Sequence, residues 1–316
     1  MKLQTKITLQ PQQYNQIDYK SSVLLLGSCF VENIGNKLEY FKFQNLQNPF
    51  GILFQPLAIE KLLTNAIHKK EYREEDVFFH NEQWHCFEAH SRLSNTSKEE
   101  LLADLNSSIK GTNRQIKSAT HIVITLGTAW VYSHIKTNNT VANCHKVPQR
   151  KFLKALLSVD EISKSLQSIE ELIRSVNKKA SILFTVSPVR HLKDGFIENM
   201  QSKAHLITAI HQVVGPRNNL HYFPSFEIMM DELRDYRFYN EDMLHPNQTA
   251  INYIWEKFQS VWISNEASKT MEAVDGIQKG LQHKPFNPNS EAHLQFLQKL
   301  ELKIKEIQSA HPKISF

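Results

Sequence analysis

The sequence predicts an α/β protein, a three-layer α/β/α sandwich around a mostly parallel, doubly wound sheet. Three observations carry that expectation. Continuous apolar runs at 23–26, 122–126 and 182–186 each stop at turn chemistry, Gly27-Ser28, Gly127-Thr128 and Ser187-Pro188. Strands buried on both faces of a parallel sheet read this way. Stretches with apolar residues at helical spacing fill the intervals, and strands alternating with such helices build βαβ units.

After the first run, Phe30, Val31, Ile34 and Leu38 recur at helical spacing and are expected to face the sheet. Leu101, Leu105 and Ile109 mark a helix before the second run. Ile162, Leu166, Ile169, Ile173 and Val176 form the cleanest stripe, with Asp160 available as its cap. Ala204, Ile207, Ile210 and Val214 mark a further helix, and a weaker strand at 220–223 stops at Pro224. Ile251, Ile254, Trp255, Phe258 and Val261 follow His245 and Pro246 as another stripe. The aromatic-rich stretch 40–97 reads as an insertion with a small hairpin around Asn81-Glu82, and 129–158 is similarly irregular. Insertions at the carboxyl edge of a sheet commonly build the pocket. Residues 1–262 are therefore expected to form the α/β domain. Residues 263–316 read as a helical tail broken at Pro285-Phe286-Asn287-Pro288, with Leu297, Leu300, Ile304 and Ile307 on one side of its last stretch. The tail is expected to pack on the body; pairing two copies into a homo-oligomer is the alternative.

At 316 residues, 41% hydrophobic and 22% charged, the chain has the composition of a soluble globular protein. Its net charge of +5 is spread thinly, with no basic block longer than His68-Lys69-Lys70, so nucleic acid is not the expected partner. No secretory pattern and no apolar stretch of membrane-spanning length appear, so no membrane is expected either. Three widely spaced cysteines argue against a disulfide framework and for the cytoplasm. Neither CxxC nor HxxxH occurs, and no metal is expected.

Ser28 stands where a strand turns into a helix, a place that exposes a hydroxyl and lets helix N–H groups stabilise negative charge. Serine is also a favoured N-cap, so Gly27-Ser28 alone says little. Cys29 is the rival nucleophile, one residue further into the turn. His245 has Asp242 three residues before it, close enough to fix the tautomer of a general base. Arg190 and His191, just past a strand end, are candidates for binding an anionic or hydroxyl-rich substrate. His90, Arg92 and His145 lie in the irregular stretches as pocket candidates, and Trp130 and Tyr132 are placed to stack on a sugar. Ser202-Lys203 reads as the start of a capped helix rather than a Ser/Lys dyad.

Gly27-Ser28-Cys29-Phe30-Val31-Glu32 resembles the signature of the GSCFA family, a branch of the SGNH (GDSL-like) hydrolases, with Val31 where the family name has Ala. Asn48-Pro49-Phe50-Gly51, Thr125-Leu126-Gly127-Thr128-Ala129-Trp130, Ser187-Pro188-Val189-Arg190-His191 and Asp242-Met243-Leu244-His245-Pro246 also resemble segments of that family. The likeness spans about residues 20–260. It implies a flavodoxin-like sheet, a Ser28–His245–Asp242 triad and no cofactor. It implies an oxyanion hole drawn from Ser28 and Gly51, with Asn48 in the same segment as a substrate contact. The SGNH pattern has Gly-x-Asn in its third block. This chain has Gly127-Thr128-Ala129, so Thr128 is the stand-in donor and the hole departs from the pattern. One absent donor is worth roughly 2.7–4 kcal/mol of transition-state stabilisation. The implied activity is ester hydrolysis, of a short acyl group on a carbohydrate or similar small alcohol. The alternatives are an O-acyltransferase using the same residues, or a carbohydrate-binding protein whose chemistry has decayed.

Overall fold

The computed structural model describes residues 5–215 and 218–316. In chain order the first half contains β1 (Ser22–Gly27), α1 (Cys29–Tyr40), β2 (Gln44–Gln47), α2 (Pro56–Ile67), β3 (Phe78–His80), β4 (Gln83–His85), α3 (Lys98–Ser118), β5 (His121–Leu126), β6 (Trp130–His134) and β7 (Asn139–Val141). Then follow β8 (Phe152–Leu156), α4 (Val159–Val176), β9 (Ser181–Val186), α5 (Phe196–Val213), β10 (Leu220–Phe223), the single turn α6 (Ser225–Glu227), α7 (Gln248–Trp262), α8 (Asn265–Gln282) and α9 (Glu291–Ala310).

The central sheet is parallel, in the order β2-β1-β5-β9-β10. The chain's progression reverses between β1 and β5, and ligands of open α/β sheets bind outside the carboxyl ends of the strands at such a switch point. Side chains alternate across each strand, so the sheet has two cores. Leu24, Leu26, Ile122, Ile124, Ile182 and Phe184 pack under helices α2 to α5. Val23, Leu25, Val123 and Leu183 pack under α1 and α7 through Phe30, Val31, Ile34, Leu38, Ile254 and Phe258. These are the three layers the sequence predicts. Each fully buried Leu, Ile, Val or Phe contributes about 1.5–3 kcal/mol.

Several local expectations change. The stretch 40–97 is more than an insertion, because it supplies the edge strand β2 and the sheet-covering helix α2. Gln-Asn-Leu-Gln has no apolar run because an edge strand is only half-buried. Proline occupies the first turn of α2, and the Gln55 side chain accepts from Ala58 N–H. The expected hairpin is present as β3–β4, with Asn81 and Glu82 both at positive φ. Residues 129–158 hold the antiparallel sheet β7-β6-β8. Helix α4 is capped by Ser158, in a capping box with Glu161, rather than by Asp160. Helix α5 starts at Phe196, so Ser202 and Lys203 sit in its middle and are buried, not at its start.

The tail folds back on the body. Helix α8 buries Ala267, Met271, Val274 and Ile277, while α9 buries Leu300 against Gly280. His311 lies over Tyr19, and Ile314 is buried. No helix among the described residues is long and apolar enough to cross a membrane.

Candidate active site

The site begins at the β1–α1 turn. Gly27 has φ +132°, and a Cβ there would lie 2.1 Å from the Thr125 carbonyl oxygen, so only glycine fits. Ser28 is the N-cap of α1 and is fully buried. Four other serines at helix starts, Ser97, Ser158, Ser264 and Ser290, cap through their side chains. Ser28 does not: its Oγ is buried and has no hydrogen-bond partner among the described residues. A buried hydroxyl left unpaired is costly, and such groups cluster where chemistry needs them free.

The turn is clamped from outside. Asn48 Oδ1 accepts the Gly27 N–H at 2.9 Å, and its Nδ2 donates to Glu32 Oε1 at 3.2 Å. Glu32 is held in turn by Arg92, at 2.8 and 3.1 Å to its two oxygens. Asn48 and Arg92 are thus committed to the nucleophile turn rather than free for substrate. His90 joins the same framework: its N–H donates to Phe50 O, and its Nδ1 accepts the Arg92 N–H at 3.2 Å.

The expected oxyanion donors are also committed in this structure. The N–H groups of Ser28, Gly51 and Thr128 donate to Thr125 O (2.9 Å), Asn48 O (2.7 Å) and Phe54 O (3.0 Å). The Thr128 hydroxyl accepts the Trp130 N–H at 3.0 Å and pairs with Ser202 Oγ at 3.1 Å.

Asp242 and His245 occupy the loop before α7. His245 Nδ1 pairs with Asp242 Oδ2 at 2.6 Å, and Asp242 Oδ1 accepts the N–H groups of Leu244 and His245. Those two backbone bonds, with the His245 ring, hold the Asp242 carboxyl down at about 2. Asp242 therefore stays ionised wherever His245 acts as a base. The loop is tied to the carboxyl edge of β9, because the Arg190 N–H donates to Leu244 O at 3.2 Å.

His191 comes next, anchored by its N–H to Asn199 Oδ1 and set edge-on against Phe54. Its Nε2 is buried and unpartnered. A Cβ placed on Gly127 would meet His191 Nε2 at 3.1 Å and Ser28 Cβ at 3.2 Å, so the imidazole and the serine flank one point. Burial, then the nearby charges of Lys203 and His245, push the His191 pKa down to about 3. Lys203 is the residue underrated in the sequence. From mid-α5 its Nζ donates to Gly127 O (2.8 Å) and Ser187 O (2.7 Å), stapling the loops after β5 and β9. Its signal was present in the helix phase: Ser202 and Lys203 fall on the inward side beside Leu206, where a charge needs polar partners.

The side chains of the other candidates are held by contacts of their own. His145 is a buried histidine of the small sheet, its Nε2 bound to Cys86 O and its ring beside His85. Trp130 donates to Glu198 O and lies under Lys154. The Arg190 guanidinium packs on Tyr239. Burial, then Glu32, pushes the Cys29 thiol up, against Lys203, which makes it a poor thiolate nucleophile. Among the described residues no group of three or more His, Cys, Asp or Glu side chains is placed to hold a metal.

Burial also holds His145 down, to about 4. In the unfolded chain an imidazole protonates near 6.5, so between that value and these low ones the unfolded state binds more protons. Stability therefore falls as pH falls through this window. Thermal unfolding from pH 7 to 4 is expected to show a steadily falling Tm, with a shallower fall in His191→Phe. A flat profile in wild type overturns the assignment of buried neutral imidazoles.

Comparison with known families gives two matches. Residues 22–258 match the model of the GSCFA family, and residues 274–316 match that of the GSCFA domain protein, C-terminal domain. No curated protein matches the chain.

Proposed function

From the premise that the chain belongs to the GSCFA family, we propose that it is a serine ester hydrolase of the SGNH type, acting on a short acyl group carried by a carbohydrate or similar alcohol. The observation that carries the reading is the 2.6 Å bond between Asp242 and His245 Nδ1. It fixes the tautomer that leaves Nε2 as the proton acceptor, on the sheet edge that also presents the unpartnered Ser28 hydroxyl.

In this reading Ser28 Oγ bonds to the acyl carbon as its proton passes to His245 Nε2. The carbonyl π electrons move onto oxygen. Collapse of the tetrahedral species breaks the ester C–O bond, and the leaving alcohol takes the proton from His245. Water then attacks the acyl-enzyme, His245 removes its proton, and the acid leaves as Ser28 regains its own. No step needs a metal or an organic cofactor. Complete burial of Ser28 also favours a second reading, an O-acyltransferase, since exclusion of water lets an acceptor alcohol compete for the acyl group.

The test is hydrolysis of p-nitrophenyl acetate, butyrate and octanoate, together with a fluorophosphonate probe located by mass spectrometry. Expected are turnover fastest with acetate and a label on Ser28. Product transferred to an added sugar assigns the acyltransferase. A label on Cys29, or no turnover and no label, overturns both readings.

A further inference from the structure

The N–H groups expected to hold the oxyanion are committed elsewhere in this structure. When Ser28 attacks a carbonyl, negative charge grows on the carbonyl oxygen, and preorganised N–H groups aimed at it are the largest usual source of rate. The three N–H groups expected to do this already donate to backbone carbonyls, and the Thr128 hydroxyl is engaged on two sides. Two buried side-chain atoms near this turn have no partner among the described residues, Ser28 Oγ and His191 Nε2. A Cβ on Gly127 would meet His191 Nε2 at 3.1 Å, Phe54 O at 3.2 Å and Ser28 Cβ at 3.2 Å, so the imidazole and the serine side chain border the space that glycine leaves open.

We propose that His191 is the oxyanion donor of this site, its neutral imidazole donating from Nε2 to the carbonyl oxygen as Ser28 attacks. The inference rests on the serine-hydrolase reading above and supplies the part left empty where this chain has Thr128-Ala129 in place of x-Asn. His191 gives up no proton; it polarises the carbonyl and holds the oxyanion, so the proton balance at His245 is unchanged.

The surroundings fit a donor better than a base. A base must accept a proton and carry charge. His191 faces Lys203 from α5, whose own pKa burial pushes down to about 7, and His245 from the 242–246 loop, with the Phe54 ring on its side and no carboxylate bonded to it among the described contacts. Burial first, and then those neighbours, oppose an imidazolium and keep the ring neutral. A neutral imidazole is a competent electrophile for a carbonyl. Lys203 adds rigidity: by holding Gly127 O and Ser187 O it fixes both loops that meet at His191.

The experiment compares wild type, His191→Phe and His191→Gln on p-nitrophenyl acetate over pH, with thermal unfolding of each variant. Phe keeps the ring contact with Phe54 and loses the donor; Gln keeps an N–H. A roughly 10²- to 10³-fold drop in kcat for His191→Phe is expected, with KM little changed. The acid limb should stay where His245 puts it, and His191→Gln should recover much of the loss. A second readout covers a variant that fails to fold. In wild type carrying the phosphonyl adduct on Ser28, the His191 Nε2 proton should move downfield in the NMR spectrum, because the adduct oxygen occupies the oxyanion position. Full activity in His191→Phe, or an unmoved Nε2 proton, overturns the proposal. Loss of the acid limb in His191→Phe does so too, by making His191 the base. Absence of turnover and of a Ser28 label in wild type counts instead against the hydrolase reading.

Discussion

Ser28→Ala is expected to yield a folded protein that is at least as stable as wild type and inert. Removing a serine nucleophile costs about 10⁶-fold in kcat in the best-studied triads, because the remaining residues cannot form the acyl-enzyme. The stability half of the expectation comes from burial. Replacing an N-cap serine by alanine normally loses about 1 kcal/mol with the cap bond. Ser28 makes no such bond, and its hydroxyl is buried without a partner. Alanine removes an unsatisfied polar group from the interior, worth about 1 kcal/mol in the stabilising direction. Hydrolysis of p-nitrophenyl acetate and thermal unfolding check both halves. Activity within tenfold of wild type removes Ser28 from the mechanism. A lowered Tm means the hydroxyl does structural work.

Gly27→Ala is the opposite case, lost through folding rather than chemistry. The added methyl would sit 2.1 Å from the Thr125 carbonyl oxygen and 2.8 Å from its carbon, on a residue at φ +132°. The obstacle is the backbone of β5, paired with β1 at this position, so no side-chain rotation relieves it. Separating the strands breaks the Ser28 N–H bond to Thr125 O and strains the Asn48 clamp on the Gly27 N–H. Roughly 4 kcal/mol or more of destabilisation is expected, at the extreme of single substitutions. Denaturant unfolding, or failure to recover folded protein, measures it. A variant within 1 kcal/mol of wild type would show that the turn can adopt another backbone path.

The three central strands were readable because β5 and β9 are buried throughout and β1 nearly so, leaving uninterrupted apolar runs. The same logic hid β2, whose edge position allows polar side chains. The catalytic candidates were readable where the spacing is local: Asp242 reaches His245 within one loop. The donors were not, because whether an N–H is free depends on which carbonyl lies opposite it. Phe54 O, which takes the Gly127 and Thr128 N–H groups, is 73 residues before Gly127 in sequence. Asn48 was read as a substrate contact for a related reason. Its two bonds, to Gly27 and Glu32, join elements that meet only when β2 pairs with β1.

Lys203 has a chemical consequence of its own. Its amine is shut inside the fold, 1% exposed, with its hydrogen bonds directed at the Gly127 and Ser187 carbonyls. Acylating reagents that modify surface lysines cannot reach it while α5 stays docked. Its modification therefore counts the moments when α5 lifts from the ends of β5 and β9, and so clocks the breathing of the loops that carry Gly127, Ser187 and His191.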